Sequence, residues 1–185
     1  RIKLNELYFA RRKDKSKPWH VLDCIDRKTG TPDPDFRDVV LTFAPSSALK
    51  ALAVDALGKD AVFGVKMPSA FSSEHSISDA DDLASRLGIN IRSAPIESAF
   101  NLFESELGLE GLAAENIQAR IRGLILMAIS NAENHLTLTT GNKTELSVGY
   151  STIYGDSVGG FAPIKDVKKT LVWELARWRN EKAES

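Results

Sequence analysis

Short apolar runs alternate with helix-forming stretches closed by glycine, and this alternation limits what the chain can fold into more than any other feature. Val39-Val40-Leu41-Thr42-Phe43 is brief, β-branched and aromatic, as a strand buried on both faces must be. Residues 48–57 follow as a good helix former, with Gly58 placed in the C′ position to close it. The unit then repeats. Ala61-Val62-Phe63-Gly64-Val65 predicts a second strand, residues 77–87 a helix stopped by Gly88, and residues 89–91 a third short strand. Residues 97–107 and 114–131 read as helices, the second with Ile117, Ile121, Leu124, Ile125 and Ala128 on one stripe. Leu136-Thr137-Leu138-Thr139-Thr140 predicts a fourth strand that turns at Gly141-Asn142. Residues 165–179 predict a last helix with Val167, Leu171, Leu175 and Trp178 on one side.

Buried strands separated by helices imply an α/β fold, a Rossmann-like parallel sheet covered by helices on both faces and built with right-handed crossovers. In such sheets ligands bind beyond the carboxyl ends of the strands, so the loops after Phe43, Val65 and Thr140 are where chemistry is expected. A length of 185 residues with 43% hydrophobic and 26% charged residues suits one well-cored domain and excludes a disordered tail or a disulfide miniprotein. The longest apolar run, residues 124–129, is far short of the ~20 residues of a membrane span, and the single Cys24 forms no internal disulfide. A cytoplasmic location with no membrane partner is the resulting expectation. The chain starts at Arg1 rather than Met and reads as part of a longer protein.

Net charge is divided unevenly. Residues 1–30 carry nine Lys/Arg against four Asp/Glu, a balance of +5 that leaves −6 for the rest. Residues 1–37 therefore read as a basic leader without an assigned role, ending in the turn-rich Gly30-Thr31-Pro32-Asp33-Pro34. No aromatic-rich motif accompanies its basic run, so nucleic acid is not an expected partner.

Three stretches carry polar side chains in the expected places. Met67-Pro68-Ser69 with Ser72-Ser73-Glu74-His75-Ser76 follows the second strand; Ser76 reads as a helix cap, and His75 with Asp79 gives two metal-type ligands without a third. In Glu115-Asn116-Ile117-Gln118-Ala119-Arg120-Ile121-Arg122, the residues Asn116, Arg120 and Gly123 share a helix face, so an amide and a guanidinium project together. Residues 139–156 follow a buried strand with glycines, hydroxyls and acids able to offer amides and a carboxylate to a phosphate and its Mg²⁺. Lys168 and Lys169 stand near a helix start, where a cation opposes the helix dipole and is suited to an anion instead.

Together with Thr140-Gly141-Asn142-Lys143-Thr144-Glu145, Gly149-Tyr150-Ser151-Thr152-Ile153-Tyr154-Gly155-Asp156 and Pro163-Ile164-Lys165-Asp166-Val167-Lys168-Lys169-Thr170, these stretches closely resemble the synthetase domain of the NAD synthetase family, especially its glutamine-dependent bacterial type. The resemblance assigns residues 38–185 to an NAD synthetase-like domain of the ATP-pyrophosphatase, adenine nucleotide hydrolase-like kind, cut short at its C-terminal side. It implies a carbon–nitrogen ligase that adenylates the nicotinate carboxylate of deamido-NAD with ATP and Mg²⁺, then lets ammonia, free or from glutamine, displace AMP. By that resemblance Thr140 and Lys169 contact ATP. Asn116, Arg120, Glu145 and Asp156 meet deamido-NAD, and Glu145 is the metal ligand. It also implies a homodimer built on the long helix, and a glutaminase domain or partner outside this chain.

One departure is physical. The family's pyrophosphate loop, Ser-Gly-Gly-X-Asp-Ser, corresponds here to the stretch Leu41-Thr42-Phe43-Ala44-Pro45-Ser46-Ser47-Ala48-Leu49-Lys50, which lacks both glycines and the acid, while Pro45 has no amide to donate. Ser46, Ser47 and Lys50, read from their residue types alone, offer a makeshift phosphate grip. The competing expectation is therefore a catalytically inactive nucleotide-binding or dimerisation module that keeps the scaffold.

Overall fold

A computed structural model describes residues 8–9, 24–25, 38–42 and 47–183. Within the leader it holds two short strands, β1 (Tyr8–Phe9) and β2 (Cys24–Ile25), paired antiparallel, where the sequence showed no pattern. The main body runs β3 (Asp38–Thr42), α1 (Ser47–Leu57), β4 (Val62–Lys66), α2 (Glu74–Leu87), β5 (Asn90–Ser93), α3 (Glu97–Leu107), α4 (Gly111–Glu133), β6 (His135–Leu138), α5 (Lys143–Ser147) and α6 (Lys169–Ala183).

β3 to β6 form one sheet in the order β5-β4-β3-β6, and every pair is parallel. Val40 stands between Phe63 of β4 and Thr137 of β6 in register. The order reverses at β3, with β4 and β5 to one side and β6 to the other, which places the topological switch point between β3 and β6. Alternate strand residues feed two cores, as the pleat requires. On one face Val62, Leu136 and Leu138 pack with Leu49 and Ala53 of α1, Ala84 of α2 and Val172 of α6. On the other, Val65 packs with Ile96, Phe100 of α3, and Ile121 and Leu126 of α4. Phe63 stacks on His135 with ring centroids 4.7 Å apart. The expected parallel sheet with two helical layers is the observed one.

Local chemistry moves several boundaries. α2 begins at Glu74 because Ser73, not Ser76, is the cap: its hydroxyl accepts the Ser76 N–H at 3.2 Å. Gly58 and Gly88 end their helices with positive φ, and Gly88 donates its N–H back into the last turn of α2. α6 starts at Lys169 instead of residue 165: the residues before it form turns, and the Val167 carbonyl accepts the Lys143 N–H at 2.9 Å, which ties this stretch to the start of α5. On α6, Val172 faces the core, while Leu171 and Trp178 of the expected stripe are exposed. Arg179 anchors this helix through two 2.9 Å bonds to Asp55 of α1. On α4 the stripe is narrower than expected: Ile117, Ile121 and Ile125 pack inward, whereas Leu124 is 68% exposed and Ala128 lies on the surface.

Beyond β6 the chain returns along its outer edge. Gly160 N–H donates to the Thr137 carbonyl at 2.9 Å, Thr139 N–H donates to Phe161 at 2.8 Å, and Phe161 bridges Leu138 in parallel. Gly159 is required here: at φ +151° it lies where a Cβ would stand 2.6 Å from the Thr139 methyl and 2.9 Å from the Thr137 carbonyl oxygen.

Candidate functional site

A cleft of about 730 Å³ opens at the carboxyl end of β6, beside the switch point. Its floor is the Thr139–Asn142 turn, one wall is α5, another is α6, and the Ser151–Ala162 return closes it. Thr140, Glu145, Asp156 and Lys169, four residues singled out in the sequence, all line it. Lys165, Phe161 and Trp173 line it as well and were not anticipated.

α5 is a five-residue helix that sequence periodicity does not reveal, yet it orients the site. Asn142, buried, caps it by accepting the Glu145 N–H at 3.0 Å, and the Glu145 carboxylate accepts the Asn142 N–H at 3.1 Å. This reciprocal capping box was readable as an Asn with a Glu three residues on. The second Glu145 oxygen is 3.6 Å from the Lys169 ammonium. Lys169 is the first residue of α6, and its backbone N–H donates to the Thr144 hydroxyl at 3.1 Å. A cation at that helix end gains nothing from the dipole; its carboxylate partner and the open cleft are what it serves.

Asn116 and Arg120 do not line this cleft. They hold the segment that does. Asn116 Oδ1 accepts the Thr152 hydroxyl at 3.0 Å, and Arg120 Nε donates to the Ile153 carbonyl at 3.2 Å. Gly123 completes the expected face: a Cβ there would stand 3.0 Å from the Tyr154 and Gly155 carbonyl oxygens and from Val158. Gly155 is equally tight, 2.9 Å from the Ala119 Cβ. Within the segment Asp156 accepts the Thr152 N–H at 2.6 Å, and Tyr154 holds a positive φ of 63°. Two residues after Arg120 on α4, Arg122 donates to the Met67 carbonyl at 3.1 Å, fixing the loop after β4, and its burial lowers its pKa.

Ser46 lies outside the described residues, and Ser47 is the first residue of α1. Lys50, one turn into α1, is buried, and burial pushes its pKa down to about 8. Among the described residues no three His, Cys, Asp or Glu side chains gather as a metal cage. Mg²⁺ needs no such cage, since it commonly takes one or two carboxylates and completes its shell with phosphate oxygens and water. Glu145 fits that part. Among the described residues no helix is long and apolar enough to cross a membrane.

The family model for NAD synthase matches residues 35–183. The chain is 52% identical over 141 residues to a glutamine-dependent NAD(+) synthetase of Synechocystis sp., covering 73% of this chain and 25% of that protein. A glutamine-dependent NAD(+) synthetase of Aquifex aeolicus is 51% identical over 154 residues, covering 78% of this chain and 27% of the relative. The chain thus spans about a quarter of the length of these curated relatives. Among solved structures, the glutamine-dependent NAD+ synthetase of Acinetobacter baumannii in complex with ADP aligns with a TM-score of 0.78 at 45% identity, over 81% of this chain and 30% of that one. The NH3-dependent NAD synthetase of Campylobacter jejuni aligns with a TM-score of 0.72 at 32% identity, over 78% of this chain and 64% of that one.

Proposed function

The chain belongs to the NAD synthase family, and from that premise we propose that it provides the site for ATP-dependent amidation of deamido-NAD to NAD, with ammonia as the nitrogen donor. The observation that carries this reading is the convergence of Thr140, Glu145, Asp156 and Lys169 on one cleft at the carboxyl end of β6, with Asn116 and Arg120 bonded to its wall.

The chemistry is a two-step exchange. A nicotinate carboxylate oxygen attacks the α-phosphorus of ATP and pyrophosphate leaves; ammonia then attacks the acyl carbon, AMP leaves with the electron pair of the C–O bond, and the nitrogen gives up one proton to solvent to become the neutral amide. Phosphate charge gathers during the first step, so cations and dipoles fixed beforehand at that place lower its barrier. Lys169 supplies a positive charge at the cleft and Thr140 a hydroxyl donor for the nucleotide. Glu145 would hold Mg²⁺, which when bound neutralises phosphate oxygens as a Lewis acid. Asp156, with Asn116 and Arg120 behind it, serves the dinucleotide end. Ser47, the first residue of α1, and its sequence neighbour Ser46 would add phosphate contacts in place of the glycine loop. The names of the long relatives make those proteins glutamine-dependent; by that likeness a glutaminase domain or partner outside residues 1–185 would supply the ammonia. The exposed Leu112 and Leu124 of α4 suit a homodimer contact, and a cytoplasmic location is part of the same proposal.

The decisive assay supplies ATP, Mg²⁺, deamido-NAD and ammonium and follows NAD and AMP by chromatography. Stoichiometric NAD and AMP support the ligase. ATP binding without turnover would favour the inactive nucleotide-binding module, whose argument is the altered Phe43-Ala44-Pro45-Ser46 stretch.

A further inference from the structure

We infer that Thr152 is a positioning residue that aligns the deamido-NAD end of the site, an inference that rests on the proposed function. Three groups of this residue are committed in three directions. Its hydroxyl donates to Asn116 Oδ1 on α4 at 3.0 Å, its backbone N–H donates to the Asp156 carboxylate at 2.6 Å, and its carbonyl accepts the Gly155 N–H at 2.9 Å. Asp156 lines the cleft and Asn116 does not, so Thr152 is the link between them.

Two consequences follow from elementary hydrogen-bond chemistry. With Oδ1 occupied by the hydroxyl, the Asn116 amide presents its two N–H donors, the polarity suited to a phosphate, ribose or carboxylate oxygen. With one oxygen held by the Thr152 N–H, the Asp156 carboxylate is fixed in direction and keeps acceptor capacity for a ligand hydroxyl. The contact sits in a tightly packed place: an added Cβ at Gly155 would stand 3.1 Å from the Thr152 Cβ and 2.9 Å from the Ala119 Cβ. The segment therefore has little freedom to re-form the link another way. Thr152 itself touches no reacting atom in this scheme; it acts through Asn116 and Asp156.

The test measures deamido-NAD and ATP binding separately by calorimetry on the full chain, with thermal unfolding recorded in parallel. Thr152→Val keeps the side-chain shape and removes the hydroxyl; Thr152→Ser keeps the hydroxyl. The expected result is that Thr152→Val binds deamido-NAD about five- to tenfold more weakly, the worth of one orienting hydrogen bond, while ATP affinity stays within about twofold. Thr152→Ser restores deamido-NAD binding. Thr152→Val binding deamido-NAD as tightly as wild type would overturn the inference, as would equal losses of both ligands with a lowered melting temperature. A wild-type chain that binds ATP but no deamido-NAD would overturn the proposed function itself and this inference with it.

Discussion

Replacing Gly123 by alanine sets two opposed effects against each other, and the structure decides between them. Gly123 lies mid-helix in α4, where alanine is favoured over glycine by about 1 kcal/mol through backbone entropy. Its Cβ, however, would meet the Tyr154 and Gly155 carbonyl oxygens and a Val158 methyl, all at 3.0 Å. Two of those three are backbone atoms, in a segment already held by Arg120 and Asn116 through the Ile153 carbonyl and Thr152 hydroxyl. Overpacking against groups that cannot rotate away costs about 1–3 kcal/mol. The steric cost wins, and Gly123→Ala is expected to destabilise by about 1 kcal/mol net. Ala128→Gly, an exposed site on the same helix, calibrates the entropy effect alone at about 1 kcal/mol of loss. Urea unfolding of both variants gives the comparison. A Gly123→Ala protein more stable than wild type by about 1 kcal/mol would show that α4 and the 152–158 segment are not in the close contact described, and the account of the cleft wall would fall with it.

Three further expectations are checked by similar means. Lys50 falls from 10.5 to about 8 on burial, which at about 1.36 kcal/mol per factor of ten is a penalty of about 3 kcal/mol whenever the folded chain must carry the proton. Because the folded pKa is the lower one, stability rises with pH between about 8 and 10.5, and the full penalty applies below about 8. Lys50→Met should therefore stabilise by up to about 3 kcal/mol at pH 7 and progressively less towards pH 10, as read from urea midpoints; an equal gain at both ends would refute the cause. Glu145→Gln retains the capping box, which accepts either residue, but removes the charge; melting within a degree or two of wild type with NAD formation lost by about a hundredfold is expected. Arg179→Ala breaks the bidentate pair to Asp55, and since both partners are partly exposed the expected loss is only about 0.5–1 kcal/mol by urea unfolding.

What could be read in the sequence was what neighbouring residues decide among themselves. Gly58 and Gly88 marked helix ends because only their own backbone conformation was at stake, and the alternation of strand and helix implied a parallel sheet before any contact was known. Residues 139–156 stood out by their glycines, hydroxyls and acids after a strand and Lys169 by its place near a helix start, while Thr140, Glu145 and Asp156 were named through the family resemblance; all four line one cleft. Periodicity could not say which side of α4 would be covered, so Leu124 was placed inward although it is on the surface. The start of α6 was missed because the residues before it form turns, tied through the Val167 carbonyl to Lys143, some 24 residues earlier. Thr152 escaped notice for a like reason: its partner Asn116 stands 36 positions away, and only the fold makes them neighbours.

The sheet order also has a consequence in time. Asp38 of β3 pairs with His135 of β6, 97 positions later, so the central strand acquires its second neighbour only after the whole intervening stretch has been made. At a synthesis rate of about 5–20 residues per second, one edge of β3 waits roughly 5–20 s for β6 to be made. That edge belongs to Asp38-Val39-Val40-Leu41-Thr42, a largely apolar strand of the kind that pairs with strangers when its edge is left open. A nascent chain of this protein is thus most at risk of association during that interval, and conditions that slow translation between residues 42 and 135 should lower its soluble yield.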